Sequence, residues 1–362
     1  MSNNEKKYYL AFSNFPGVGP IKFEKIIREF GSAKDAWNAS SLALKQILGE
    51  KLTVKFEVFR KTFEMERYEE NLTKQKISYI CSFEKSYPKR LKTIKNPPII
   101  LYSKGKLGLN SEQKFLAIVG TRKITSYGKS ITKMFAGELA EQGLIIVSGL
   151  AIGVDSLAHT ACLDSHGITV AVMGNGVDIC FPRENQKVYD RIISEGGAII
   201  SEYPPGEKPS IGSFPARNRI VAGISDGILV TEGASDSGSL ITANFGLEFG
   251  RKVFAVPGPI TSSLSAAPLK LIEKGAKLVV TSEDIMRELG IKNHELRKNK
   301  KKYESLNLEE RKIVELIENE SLSFDEIVRS LKLDPSRVGT ILSMMEMRGV
   351  IKNSGGNYSV VL

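Results

Sequence analysis

The sequence is poor in the residues that build metal centres and disulfide frameworks. Its 362 residues include three cysteines and three histidines. These six residues are scattered, without CxxC spacing or a histidine cluster: Cys81, Cys162, Cys180, His159, His166 and His294. The sequence therefore predicts neither a disulfide framework nor a metal site.

Long apolar runs are also missing. No run approaches the roughly 20 residues that a membrane-spanning helix needs. The N-terminal segment MSNNEKKYYL lacks the apolar core of a signal peptide. We therefore expect a cytoplasmic protein without membrane insertion.

Four common signatures of nucleotide binding and catalysis are absent. The chain has no GxxxxGK[ST] loop, and the glycine turn after its first central strand lacks G-x-G-x-x-G spacing. No Ser–His–Asp set or carboxylate pair stands out. We expect no catalytic residues and no cofactor.

Charge is unevenly distributed. The net charge of +10 permits a polyanionic partner. Residues 1–110 contain 21 Lys+Arg against 11 Asp+Glu, whereas residues 111–290 contain 17 against 19. If the middle of the chain binds nucleic acid, it must do so through a local basic patch and backbone amides.

The first segment has a helical pattern that is interrupted at Phe15–Pro20. The sequence FPGVGP is followed by the amphipathic run IKFEKIIREFG, which is typical of a helix-hairpin-helix. In that motif a Gly-x-Gly turn exposes backbone N–H groups to a DNA phosphate. The alternative is a simple turn that uses glycine for its positive φ, and both interpretations remain open.

From residue 115 onward, short apolar runs alternate with helix-length segments. The runs are FLAIVG (115–120), LIIVSG (144–149), ITVAVMG (168–174), AIISE (198–202), GILVTE (227–232), VFAVPG (253–258) and KLVVTS (277–282). Such runs are typical of parallel strands buried on both faces. They predict an α/β fold with a Rossmann-like, doubly wound, mostly parallel sheet, whose ligands gather at the strand carboxyl ends. Residues 75–110 contain two shorter β-like runs and are predicted to form a connector.

Polar, glycine-rich turns follow four of the predicted strands. Each turn is a possible phosphate cradle, because glycine lets the backbone approach and helix-terminal N–H groups donate. Any single turn can equally serve only to close a loop. The cradle candidates are Gly120, Thr121, Arg122, Ser148, Gly149, Ser237, Gly238 and Ser239.

Several charged residues near these turns have two possible roles. Arg122 follows the first central strand directly and suits bidentate phosphate contact. Asp155 and His159 lie one helical turn apart, which favours a cap and a local hydrogen bond over an acid and a base. In FPARNR, the segment Arg217–Arg219, including Asn218, either anchors a helix start or grips a DNA backbone.

The C-terminal segment follows a charge cluster. Residues 291–304 are predicted to be a solvated linker. Residues 305–362 then show three helical periods and a terminal strand pair, an order that resembles a winged helix. Asp334 and Pro335 provide an N-cap and a first-turn proline for the third helix. This helix is poorly basic, which argues against a transcriptional regulator that reads duplex DNA.

The ordered motifs strongly resemble the DprA/Smf family, the DNA-processing proteins of bacterial natural transformation. They are YPKRL, NPPIILYSKG, VGTRKITSYG, VSGLAIGVDSLAH, GNGVDICFPREN, SEYPPG, FPARNRIVAGISDGILVTEG, SGSLITA and VFAVPG. The resemblance implies a dimer that binds single-stranded DNA, protects incoming DNA and loads the RecA recombinase. It implies a SAM-like helical domain at 1–74, a Rossmann-like domain with its connector at 75–290, the linker at 291–304 and a winged helix at 305–362.

The resemblance also implies site residues. Gly120, Thr121 and Arg122 match the family's phosphate-contacting turn, and Arg183 and Lys187 fall in a basic stretch beside the DNA pocket. The chain departs from the family pattern in two places. Ile152 stands where a basic residue is usual, and Ser265–Pro268 replaces a serine- and glycine-containing motif.

One rival interpretation is an enzyme that cleaves nucleoside monophosphates, a class with similar glycine-rich strand ends. Such an enzyme is expected to place an acidic catalytic residue beside a PGGxGT-like turn. This chain has EGASDSGSLIT instead. Release of free base from a nucleotide would distinguish the two functions.

Overall fold

The computed structural model describes residues 3–106, 108–109, 112–291, 306–317, 321–331, 333–348 and 350–360. The chain divides into two compact units, Met1–Lys292 and Asn293–Leu362. Apart from residue 291, the predicted linker at 291–304 lies outside the described residues.

The first unit begins with six helices. They are α1 (Asn3–Asn14), α2 (Pro20–Phe30), α3 (Ala33–Asn38), α4 (Ser41–Leu48), α5 (Glu50–Thr62) and α6 (Met65–Lys74). The serine hydroxyls of Ser32 and Ser40 cap α3 and α4 by accepting backbone N–H bonds. Gly31 ends α2 with a φ of 77°, a conformation that glycine adopts without strain.

An aromatic cluster fills the space between these helices. Phe12 stacks on Phe56 at 5.3 Å between ring centroids, and the Trp37 ring meets both edge-on. The same apolar cluster continues to Tyr102 and Ile199 in the sheet described next. The helical region therefore packs directly against one part of the sheet.

The sheet has nine strands. They are β1 (Ser78–Cys81), β2 (Ile100–Gly105), β3 (Phe115–Val119), β4 (Ile145–Ser148), β5 (Thr169–Val172), β6 (Ala198–Ser201), β7 (Gly227–Val230), β8 (Lys252–Ala255) and β9 (Lys277–Leu278). Their order is β1-β2-β6-β5-β4-β3-β7-β8-β9. All pairs from β6 to β9 are parallel, while β1 and β2 add an antiparallel edge. The predicted mostly parallel, doubly wound sheet is confirmed.

Helices cover both faces of this sheet. They are α7 (Lys89–Lys92), α8 (Ser126–Glu141), α9 (Val154–Asp164), α10 (Gln186–Ser194), α11 (Ser213–Ile224), α12 (Gly238–Glu248), α13 (Ala266–Glu273) and α14 (Ser282–Glu288). Successive side chains of β3 pack into two different apolar cores, one on each face of the sheet. Phe115 and Ala117 belong to one core, and Leu116 and Ile118 belong to the other. This alternation explains why the strand reads as a continuous apolar run.

The position of the ligand crevice follows from the strand order. From β3 the chain moves through β4 and β5 to β6, and then returns to place β7 on the other side of β3. Loops after β3 and β7 therefore diverge to opposite faces, which opens a crevice at the carboxyl ends of these two strands.

The second unit has its own core. Its elements are α15 (Leu308–Ile317), β10 (Leu322–Ser323), α16 (Phe324–Leu331), α17 (Pro335–Met347), β11 (Ile351–Ser354) and β12 (Asn357–Val360). The three strands form a small antiparallel sheet, and the Asp334 side chain caps α17 as predicted. This is the winged-helix arrangement that the sequence predicts.

Candidate nucleic-acid interface

A crevice of about 550 Å³ opens where the strand order reverses. Its walls are the β3–α8 turn, the loop after β4, the first turns of α11 and the start of α12. Four charged side chains line it: Arg122, Asp155, Arg217 and Asp236. The crevice thus combines glycine-rich turns with arginine at the edge of the sheet where ligands are expected.

The β3–α8 turn forms one wall of the crevice. Gly120 is required there, because a Cβ would lie 2.6 Å from Val154 Cγ2 and 2.7 Å from the Glu232 carbonyl oxygen. The Thr121 N–H donates to the same carbonyl at 2.8 Å, and the Thr121 hydroxyl accepts from the Lys123 N–H at 3.1 Å. These contacts fix the backbone from which Arg122 projects.

Arg122 is exposed in the crevice. Among the residues that the structure describes, it makes no hydrogen bond or ion pair. Its guanidinium carbon lies 6.0 Å from the centre of the Phe214 ring. Phe214 in turn stacks on Phe181 at 5.7 Å, and Phe181 is 42% exposed. A free cation therefore lies beside an accessible aromatic pair.

Glu232, which sequence reasoning did not select, organises the start of α8. Its carboxylate accepts hydrogen bonds from the Thr125 backbone N–H at 3.0 Å and the Thr125 hydroxyl at 2.5 Å. A Cβ on Gly128 would overlap this carboxylate. Both carboxylate oxygens accept hydrogen bonds from Thr125 at the start of α8. The Glu232 side chain therefore stabilises the turn that carries Arg122.

Ser148 and Gly149 are already hydrogen-bonded within the fold. The buried Ser148 hydroxyl donates to the Ile118 carbonyl at 2.7 Å. The Gly149 N–H donates to the Asp155 carboxylate at 3.0 Å. Gly149 lines the crevice, but neither of these donors is free for a phosphate. Their contact with DNA stays a prediction, and the geometry gives them a supporting role.

Arg217 is buried beneath the crevice. Its guanidinium donates to the carbonyl oxygens of Gly149, at 2.7 Å, and Val172. Burial lowers the pKa of Arg217, and Asp155 opposes this shift. Burial likewise raises the pKa of Asp155, and Arg217 opposes it. The two groups therefore act as a coupled pair that holds the loop after β4.

His159 belongs to the same interior. Thr169 uses its single hydroxyl hydrogen to donate to the Ile146 carbonyl at 2.7 Å. His159 Nδ1, 2.7 Å from that hydroxyl oxygen, must therefore carry a proton and donate. Burial lowers the pKa of His159 to about 3. The expected helix cap is wrong, because the N-cap of α9 is Gly153, without a side-chain cap, and Asp155 instead accepts the Gly149 N–H. The expected local hydrogen bond is the one that His159 makes to Thr169.

Arg219 faces away from the crevice. It forms a bidentate ion pair with Glu202, at 2.8 and 2.6 Å, and is buried. It lines a second cleft of about 470 Å³, together with the Gly17–Gly19 turn of the helical region. Gly17 has a φ of 101° there, so the turn geometry alone requires glycine. Of the two roles left open for Arg217 and Arg219, the contacts favour anchoring.

The start of α12 forms another wall of the crevice. The Ser237 hydroxyl caps the helix by accepting from the Ser239 N–H at 3.3 Å. Asn218 Nδ2 donates to the Gly238 carbonyl at 3.4 Å. No atom lies within 4 Å of the position of a Cβ on Gly238, so the helix is open to solvent at this residue.

Arg183 and Lys187 are exposed but do not line the crevice. Arg183 begins a short 3-10 helix (Arg183–Asn185), and Lys187 lies in the first turn of α10. The Asn185 side chain ties this segment to the loop after β4 by donating to the Leu150 carbonyl at 2.8 Å. Both basic residues follow Phe181 in the chain, and their contact with DNA stays a prediction.

The two departures from the family pattern lie at an exposed position and at the start of α13. Ile152 is 45% exposed. The segment Ser265–Pro268 begins α13, where the Ala267 N–H donates to the Gly233 carbonyl at 2.8 Å. The Gly233 N–H donates to the Leu264 carbonyl at 2.7 Å. The turn after β7 is therefore held by backbone bonds to Leu264 and to Ala267, which lies within the departing segment.

The described residues hold neither a cluster of metal ligands nor a membrane-spanning helix. No group of three or more histidine, cysteine or acidic side chains that could hold a metal occurs in the described part of the chain. No helix among the described residues is long and apolar enough to cross a bilayer.

Comparison with known proteins gives consistent matches along the chain. Residues 78–290 match the family model of DNA recombination-mediator protein A, and residues 298–357 match that of the DprA winged helix domain. The chain is 37% identical over 295 residues to Protein Smf of Synechocystis, covering 80% of this chain and 74% of that protein. It is 42% identical over 219 residues to the DNA processing protein DprA of Bacillus subtilis, covering 60% and 73%.

Two solved structures are similar. DNA processing protein A from Streptococcus pneumoniae matches with a TM-score of 0.67 at 34% identity, covering 80% of this chain and 98% of that chain. DNA processing protein A from Helicobacter pylori matches with a TM-score of 0.53 at 33% identity, covering 59% and 95%. The Helicobacter pylori structure was described for its single-stranded DNA binding mode.

Proposed function

The chain belongs to the DNA recombination-mediator protein A family, and on that premise we propose that its crevice binds single-stranded DNA. The observation that carries the proposal is the free guanidinium of Arg122 beside the Phe214–Phe181 stack. A cation next to an accessible aromatic pair suits a strand that offers both phosphates and unpaired bases.

The phosphates would lie along the Gly120–Arg122 turn and towards the start of α12. Arg122 supplies a planar fork that matches two phosphate oxygens. The Gly238 N–H lies at the positive end of the α12 dipole. Arg217 adds positive charge from below, with its Nη1 held by the carbonyl oxygens of Gly149 and Val172.

The bases would stack on Phe214 and Phe181. Bases in a duplex are paired and stacked on each other, so only an unpaired strand offers free base faces to these rings. A π-face is common to all four bases, so we expect little sequence preference. This argument supports preference for single strands over duplexes.

We further propose that the protein binds without catalysing a reaction. The Glu232 carboxylate is bonded at both oxygens, and Asp155 is buried against Arg217 and the Gly149 N–H. Neither is available as a general acid or base, which leaves Asp236 as the exposed acidic side chain among the residues that line the crevice. We expect that incubation with nucleoside monophosphates releases no free base, and release would favour the enzyme.

We also propose a cellular role for this binding: the protein acts in the cytoplasm, protects incoming DNA and loads RecA during transformation or recombination.

We propose that the protein works as a homodimer through the β9 edge of the sheet. Leu278 and Val280 at this edge are 44% and 58% exposed. A dimer would hold one strand in two crevices and gain effective concentration. We propose that the chain has three domains: a helical domain at 1–74, a Rossmann-like domain at 75–290 and a winged helix at 305–362.

A binding comparison tests the proposal. A fluorescent single-stranded oligonucleotide and its duplex are titrated with the protein over a range of salt concentrations. We expect tighter binding of the single strand, with a log–log salt slope of about −0.7 per phosphate neutralised. Equal affinity for both forms would contradict the crevice model. Loading is tested separately, by whether the protein shortens the lag of RecA assembly on a strand coated with single-strand-binding protein.

A further inference from the structure

The charges that line the crevice balance formally. Arg122 and Arg217 each contribute one positive charge, and Asp155 and Asp236 each contribute one negative charge. Asp155 is buried, accepts the Gly149 N–H and is coupled to Arg217. The charge left to oppose Arg122 at the surface of the crevice is therefore that of Asp236.

Asp236 lies uncompensated at the start of α12. It is exposed, and within the described ranges it makes no hydrogen bond or ion pair. It directly precedes the N-cap Ser237 and is two residues from Gly238. Its carboxylate and a phosphate bound near the Gly238 N–H would therefore compete for the same positive helix end.

We propose that Asp236 limits how tightly this crevice holds single-stranded DNA. The inference rests on the proposed function and deepens it. A phosphate at the Gly120–Arg122 turn meets a free guanidinium, whereas a phosphate at the start of α12 meets a carboxylate of like charge. The crevice thus has a strong end and a weak end. A bound strand peels from the α12 end first, which makes it accessible to the protein that receives it.

The test compares two variants that each remove one negative charge, at opposite ends of α12. Asp236→Asn acts at the crevice. Glu248→Gln acts at the last residue of α12, is exposed and lies outside the crevice lining. Both change the net charge of the chain equally, so their difference isolates the local effect.

We expect Asp236→Asn to bind a fluorescent single-stranded oligonucleotide about three- to tenfold more tightly than wild type at low salt. The gain should come mostly from slower dissociation. It should shrink as salt rises, because the carboxylate is exposed and its repulsion is screened within about 8 Å at physiological ionic strength. Glu248→Gln should bind almost as wild type does, and Asp236→Lys should bind more tightly than Asp236→Asn.

Three results would overturn the inference. Asp236→Asn could match Glu248→Gln, its gain could persist unchanged at high salt, or it could bind more weakly, as expected if the carboxylate accepts a hydrogen bond from a base. Melting temperatures identify misfolding, and Asp236→Ser removes the same charge if the asparagine variant does not fold. Failure of wild type to bind single strands would instead contradict the proposed function itself.

Discussion

The guanidinium of Arg217 lies directly against the backbone of Gly149. Its Nη1 donates to the Gly149 carbonyl at 2.7 Å, and a Cβ on Gly149 would overlap all three terminal guanidinium atoms. The Gly149 N–H is bonded to Asp155 on its other side. One glycine therefore joins a buried cation to a buried carboxylate beneath the crevice.

Replacing Gly149 with alanine should displace Arg217. Overpacking of this kind typically costs about 1–3 kcal/mol of unfolding free energy. We expect a lower denaturation midpoint and weaker single-strand binding, because the crevice floor moves. Gly212→Ala is the control, since nothing lies within 4 Å of its Cβ position and its φ is −75°. Equal stability of both variants would show that Arg217 shifts without cost.

The central sheet was predictable because its strands are buried on both faces. FLAIV and IIVS read as uniform apolar runs only in such a position. The antiparallel edge formed by β1 and β2 could not be predicted. The two short β-like runs lie on either side of a Pro-Pro pair, in a segment that the sequence predicts to be a connector. The shared core of Phe12 and Tyr102 was also unpredictable, since it joins residues far apart in the chain.

The site was predictable in part. Arg122 was correctly placed in the crevice, because a residue directly after a central strand must lie at that edge of the sheet. The burial of Arg217 was not foreseen, since an arginine in a first helical turn can point outward or inward. The sequence could also have indicated three further crevice residues, because each lies in or beside a motif that sequence analysis singled out. They are Phe181, Phe214 and Asp236.

Replacing Leu278 with lysine should weaken the proposed dimer. Lysine on an edge strand opposes pairing with another sheet. We expect light scattering to report a monomer, and long oligonucleotides to lose more affinity than short ones as the second crevice is lost. Leu247→Lys is the control, because Leu247 on α12 is similarly exposed, at 43% against 44%. A dimer that survives Leu278→Lys must use another surface.

Removing residues 305–362 should leave single-strand binding largely intact. The residues that line the crevice lie between Val119 and Thr242. The first compact unit, Met1–Lys292, contains three of the apolar cores and should remain folded. Circular dichroism checks folding, and the oligonucleotide titration measures binding. A folded truncation that no longer binds would move the site to the second unit.

Protonation of His159 should destabilise the fold below neutral pH. Its folded pKa of about 3 lies below the ordinary histidine pKa of 6.5, so the unfolded chain binds the proton between these two pH values. Stability therefore falls as pH drops from 6.5 towards 3, by about 2 kcal/mol at pH 5. Urea denaturation at pH 7.5 and 5 measures this. Between pH 7.5 and pH 5, the unfolding free energy of His159→Asn should fall by about 2 kcal/mol less than that of wild type. If both proteins lose the same amount, groups other than His159 cause the effect.

Replacing Arg122 with alanine should weaken single-strand binding without affecting the fold. The charge-assisted phosphate contact is worth about 1.5–3 kcal/mol, or roughly tenfold to a hundredfold in affinity. Stability should be unchanged, because Arg122 makes no hydrogen bond or ion pair with the rest of the described chain. Lysine should restore only part of the affinity, since a point charge cannot reproduce the planar fork.

The control for Arg122→Ala is Lys133→Ala, which removes the same charge from an exposed position on α8 outside the crevice. Affinity and melting temperature are measured on one preparation of each variant. If Arg122 only anchors its loop, the alanine variant should melt at a lower temperature yet bind normally once folded. The proposed phosphate contact of Arg122 is contradicted if folded Arg122→Ala binds DNA with wild-type affinity. It is also contradicted if Lys133→Ala loses as much affinity as Arg122→Ala. A selective loss in Arg122→Ala would support the β3–α8 turn as the strong end of the crevice.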